Sequence, residues 1–120
     1  MSAGAIARSA KGVVISGRCR DIAEHRALGF SVYARGRSTL GQSPHTRPSA
    51  VNIPIQLGPV TVQPCDIIVA DEDGVVCVPS NLVDATVEYA KKGREIDERC
   101  MEDIKAGKGI QASFKLHRGK

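Results

Sequence analysis

Apolar residues recur along the chain at two spacings, and these spacings divide it into short strands and helices. Val13-Val14-Ile15 is a β-branched run that predicts a buried strand, broken by Gly17. Ahead of it, Ala5, Ile6, Ala7 and Ala10 read as the end of a helix over residues 4–10. Gly12 would stop that helix, because glycine tolerates the positive φ of a helix C-terminus. Helical spacing returns at Ile22, Ala23, Arg26 and Ala27, so residues 21–28 predict a short helix closed by Gly29. Phe30, Val32 and Ala34 then alternate with Ser31 and Tyr33, the period of a second strand over 30–34.

Residues 35–49 are rich in Arg, Gly, Ser, Thr and Pro and read as a long loop. Such a loop either borders a site or interface or is simply flexible. Residues 51–57 and 60–63 predict two strands around the turn pair Gly58-Pro59. Ile67-Ile68-Val69-Ala70 and Val75-Val76-Cys77-Val78 flank an acidic connection ending in Asp73-Gly74, a hairpin signal. A long helix follows over 81–106, with Ser80 as its N-cap and Gly107 as its stop. Val83, Val87 and Ala90 mark one face, and Ile96, Cys100 and Ile104 continue it. The opposite face carries Lys91, Lys92, Glu95, Glu98 and Arg99, either a solvated surface or a docking surface for a partner subunit. The order α-β-α-β, then strands, then a long helix predicts an α/β or α+β domain with a mixed sheet.

Composition narrows this picture. With 120 residues the chain suits one domain with a modest core. Its aromatics are only Phe30, Tyr33, Tyr89 and Phe114, so the core must come from Val, Ile, Leu and Ala. The net charge of +4 is concentrated late, at Lys105, Lys108, Lys115, Arg118 and Lys120, and residues 108–120 read as a solvated basic tail. Charge alone gives weak, salt-sensitive contacts, so nucleic acid is not expected as a partner. No apolar run is long enough to cross a bilayer and no signal peptide is visible, so no membrane contact is expected. Cys19, Cys65, Cys77 and Cys100 form no C-x-x-C pair, which argues against a zinc knuckle and for free thiols in the cytoplasm.

Few residues could carry chemistry. The acidic connection lacks the distal Glu of a calcium loop. His25, His45 and His117 are far apart, and nothing orients a Cys19–His25 pair. There is no glycine-rich nucleotide fingerprint, which leaves a methyltransferase without support. Arg20-Asp21 remains, at the junction of the first strand and the helix that follows it. Ligands favour the C-terminal ends of strands. Arg offers a bidentate fork for a carboxylate or phosphate, and Asp offers hard oxygens for Mg²⁺. Taken alone, the dipeptide reads more simply as a salt-bridged turn in which Asp21 caps the helix.

Three segments in order carry a family resemblance. Gly12-Val13-Val14-Ile15-x-Gly17-x-x-Arg20-Asp21, Phe30-Ser31-Val32-Tyr33-Ala34-Arg35-Gly36, and the run from Val60 to Val76 containing Pro64-Cys65-Asp66 and Ala70-Asp71 resemble motifs of the RraA-like family. That family includes 4-hydroxy-4-methyl-2-oxoglutarate aldolases and the regulator of ribonuclease activity A. The resemblance covers residues 1–107 and implies a swivelling β/β/α fold in a homotrimer or hexamer. It implies a lyase of the aldolase/oxaloacetate decarboxylase type acting on a pyruvyl-containing keto acid. Arg20 would bind the substrate carboxylate and Asp21 would engage Mg²⁺ or Mn²⁺, which would stabilise the pyruvate enolate. No catalytic residue beyond these two matches. The family's upstream Asp, twenty residues before the Arg-Asp pair, would fall ahead of Met1, so the chain reads as an N-terminally shortened member. Ser16 and Cys65 also depart from the usual residues. The alternative is a catalytically inactive binding protein of the ribonuclease-regulator type.

Overall fold

The computed structural model describes residues 1–119; Lys120, the last of the basic residues noted above, lies outside the described residues. The elements are α1 (Ser2–Ile6), β1 (Gly12–Cys19), α2 (Ile22–Ala27), β2 (Ser31–Arg37), β3 (Ile55–Leu57), β4 (Val60–Val62), β5 (Ile67–Ala70), β6 (Val75–Val78), a 3₁₀ turn (Ser80–Leu82), α3 (Val83–Lys105) and α4 (Ile110–Arg118). They cluster into two compact units, the first Met1–Cys77 and the second beginning at Val78.

In the first unit β1 and β2 pair in parallel through the α2 crossover, with Val13 opposite Val32 and Ile15 opposite Ala34. The register slips between Ile15 and Arg18, so an extra residue is accommodated at Ser16-Gly17 and β1 runs on to Cys19 instead of stopping at Ile15. Gly12 has a different role from the one its sequence position suggests. The first helix ends at Ile6, and Ser9, at φ 64°, lies in the reversal that follows. Gly12 starts β1, and a Cβ there would lie 3.0 Å from the Ser31 carbonyl oxygen, so close strand approach explains the glycine.

β3 and β4 form an antiparallel hairpin in which Leu57 faces Val60 across Gly58-Pro59, with Gly58 at φ 64°. β3 is shorter than the apolar pattern predicts because Asn52 takes a left-handed conformation at φ 55° and Pro54 brings no amide donor. β5 and β6 form a third two-stranded sheet. Its turn is closed by Asp71, whose Oδ1 accepts from the Asp73 and Gly74 amides at 2.9 and 3.2 Å. The Tyr33 hydroxyl donates to the Ala70 carbonyl at 2.9 Å and ties β2 to β5. Parallel and antiparallel pairings thus coexist, but in three small sheets and not one continuous one.

In the second unit Ser80 opens the 3₁₀ turn and does not cap α3, which begins at Val83. The long helix ends at Lys105, followed by Gly107 at φ 82°. The basic segment read as a tail folds instead: α4 packs on α3, where Ser113 Oγ donates to the Cys100 carbonyl at 3.3 Å. Its apolar and basic residues alternate at helical spacing, a pattern masked in the sequence by the charge. Among the described residues, Phe30 and Cys100 are the buried apolar side chains, and no helix is long and apolar enough to cross a membrane.

Candidate functional site

β1 delivers Arg20 and Asp21 at its C-terminal end, one residue before α2. Asp21 occupies the helix N-cap at φ 61°, ψ 37°, a left-handed conformation that Asp adopts more readily than most residues. Its carboxylate makes no capping hydrogen bond. It turns back to Arg20 instead, with Oδ2 3.4 Å from Nε, and both side chains are about half exposed at 56% and 50%. The pair is therefore a salt-bridged turn without a side-chain cap. A pairing so open to water is worth little as a structural tie.

The loop after β2 borders this pair. The Ser38 amide donates to the Cys19 carbonyl at 2.8 Å, bringing the loop back to the strand end that carries Arg20. The Leu40 amide is held by Ser38 Oγ at 3.1 Å, and Thr46 closes a turn on the Gln42 carbonyl at 2.7 Å. Between these ties, a Cβ on Gly41 would lie 3.7 Å from Arg20 Nη1. Neither Ser38 nor Gly41 was singled out by sequence reasoning. The Arg-, Gly- and Ser-rich composition of 35–49 marked the region without naming them.

The other candidates are placed apart from the pair's chemistry. Cys19 and His25 line one hollow of about 320 Å³ with Ile22, Phe30 and Arg37. Each has its own partner: the Cys19 thiol faces the Gly36 carbonyl at 3.7 Å, and His25 Nδ1 bonds Ser2 Oγ at 2.8 Å. Partial burial, with the Asp66 carboxylate beside it as hydrogen-bond partner, pushes the Cys77 thiol up from its ordinary pKa, which keeps it protonated and weakly nucleophilic. Asp71 spends one carboxylate oxygen on the backbone of its own turn.

The donor set bears on the cation that the resemblance implies. Among the described residues no group of three His, Cys, Asp or Glu side chains converges into a cage. Asp21 offers one hard, half-exposed carboxylate. That suits Mg²⁺, which takes one or two carboxylates and keeps waters, better than a metal requiring a full protein cage.

Comparison with known proteins places the chain. Residues 1–77 match the family model described as RraA-like, Aldolase/RraA. A Halalkalibacterium halodurans protein provisionally named 4-hydroxy-4-methyl-2-oxoglutarate aldolase is 38% identical over 87 residues, which are 72% of this chain and 41% of that protein. An uncharacterized protein of Methanocaldococcus jannaschii is 31% identical over 109 residues, 91% of this chain and 52% of its own length. The crystal structure of an uncharacterized protein from Pseudomonas syringae pv. tomato superposes with a TM-score of 0.91 at 30% identity, covering 97% of this chain and 55% of that one. The chain thus spans about half the length of the relatives it matches. Its mixed α/β architecture of small sheets and a long C-terminal helix is shared with that solved structure, and the family model covers its first unit. The chain belongs to the RraA-like family.

Proposed function

We propose that this chain carries the carboxylate-anchoring part of a divalent-metal-dependent lyase site of the 4-hydroxy-4-methyl-2-oxoglutarate aldolase/oxaloacetate decarboxylase type. The observation that supports it is the adjacency of Arg20 and Asp21 at the end of β1, both half exposed and side by side at 3.4 Å, in a chain 38% identical to a protein provisionally named as such an aldolase. Arg20 binds the carboxylate of a pyruvyl-containing keto acid through its guanidinium fork. Asp21 holds the Mg²⁺ or Mn²⁺ and, through its contact with Nε, orients that fork. When bound, the ion would supply Lewis-acid stabilisation of negative charge on the substrate's pyruvyl oxygen. The working form is a homo-oligomer, a trimer or hexamer.

The test is pyruvate release from oxaloacetate with Mg²⁺, compared with Arg20→Ala and Asp21→Ala. Removing a charged hydrogen-bonding anchor should lower kcat/KM on the order of 10- to 100-fold. Release no faster than free Mg²⁺ gives, unchanged in both variants, would overturn the enzyme reading in favour of a binding protein.

A further inference from the structure

We propose that Gly41 is a specificity-determining position: the missing side chain keeps the outer edge of the Arg20 fork open to a substrate carboxylate. This rests on Arg20 as the carboxylate anchor and adds the residue that controls access to it. A guanidinium can meet a carboxylate along its Nε side or across its two terminal nitrogens. In this protein Asp21 Oδ2 stands 3.4 Å from Nε, which leaves the terminal edge for a ligand. Gly41 flanks that edge, with a Cβ position 3.7 Å from Nη1 and 3.9 Å from Cζ.

Nothing else in the structure requires glycine there. Gly41 is absent from the positive-φ residues, so an L side chain fits its backbone. A methyl group would make ordinary van der Waals contact and no clash. What glycine provides is space. A longer side chain would start in contact with Nη1 and extend across the donor edge. Retreat of the loop is limited on one side of Gly41, where the Ser38 amide is bonded to the Cys19 carbonyl at the end of β1. Among the described residues, and its own chain neighbours aside, Arg20 supplies the only atoms within 4 Å of that Cβ position, so the guanidinium is the group a side chain there meets first.

The experiment is pyruvate titration of the full chain in saturating Mg²⁺, by calorimetry and by the Arg20 side-chain NMR resonance. The proteins compared are wild type, Arg20→Ala, Gly41→Ala, Gly41→Val and Gly41→Leu, each checked by far-UV circular dichroism. Kd should rise in the order Ala, Val, Leu, reaching about tenfold at Leu. In oxaloacetate turnover the same series should raise KM with little change in kcat, the mark of lost binding. If Gly41→Leu fails to fold, the Ala and Val steps decide by their slope. Wild-type affinity across the Gly41 series, with binding abolished in Arg20→Ala, overturns the role of Gly41 and leaves Arg20 standing. Equal behaviour of wild type and Arg20→Ala, both binding or neither, overturns Arg20 as anchor and Gly41 with it.

Discussion

The two units of this chain hold themselves together by different means. The second, from Val78, is closed by polar cross-links from α3 to α4 and to the connection between them. Ser113 reaches the Cys100 carbonyl, Asp103 accepts from Lys108 at 2.6 Å and meets His117 at 2.9 Å, and Arg118 pairs with Asp97 while stacking 4.0 Å over Phe114. The first unit, Met1–Cys77, has one buried large apolar side chain, Phe30, at the entry to β2. Its β5–β6 sheet leaves Val69 and Val76 more than half exposed, at 56% and 60%. The unit that carries the candidate site leaves apolar strand faces open, whereas the second exposes apolar side chains on helices, Tyr89 and Leu116 among them. Apolar strands without cover mark a surface that something else buries.

The largest effect on this contrast should come from Phe30→Ala. Emptying a buried aromatic site costs about 3–5 kcal/mol. Amide exchange should then lose protection across β1 and β2 while α3 keeps its own. Loss of α3 protection in step would show that the two units unfold as one block.

A smaller effect is expected from placing Lys at both Val69 and Val76. If these faces are buried between copies, light scattering should show a smaller assembly, with the far-UV spectrum retained. A wild-type chain that is already monomeric, and a variant no different from it, would break the link between exposed apolar strands and assembly.

The smallest effect concerns acid. Hydrogen bonds from Lys108 and His117 hold the Asp103 carboxyl below its ordinary pKa. A depressed folded-state pKa means that the carboxylate contributes stability above its unfolded value, and that this contribution is lost as pH falls through the folded one. Helicity of the second unit should therefore decline as pH drops below the ordinary carboxylate range. Asp103→Asn should lower thermal stability near neutral pH and flatten that acid step. An unchanged acid profile in the Asn variant would place the pH dependence elsewhere.

Much of the fold is legible along the chain. The β-branched runs of β1, β5 and β6, the Gly58-Pro59 and Asp73-Gly74 turns and the reach of α3 to Lys105 all follow from local spacing and turn chemistry. Some misreadings are local, as at Asn52 and Pro54, which shorten β3, but three come from long-range contact. Gly12 reads as a helix stop, yet its reason is Ser31, nineteen residues on. β1 outruns its apolar triplet because Arg18 and Cys19 find partners at Gly36 and Arg37. α4 is hidden under a basic composition because its stabilising partners, Cys100, Asp103 and Asp97, lie on another helix.

The site divides in the same way. Sequence by itself determined that Arg20 and Asp21 are adjacent, that they sit where a strand gives way to a helix, and that motifs around them are those of the RraA-like family. These are properties of neighbouring residues, and covalent connection guarantees them. Only the tertiary structure decided that Asp21 takes a left-handed turn, leaves the helix amides uncapped and sets its carboxylate beside Nε. It alone brought Gly41 to the far edge of the same guanidinium. Capping and ion pairing compete for one carboxylate, and a loop's approach depends on hydrogen bonds to a distant strand; both are settled by packing in three dimensions.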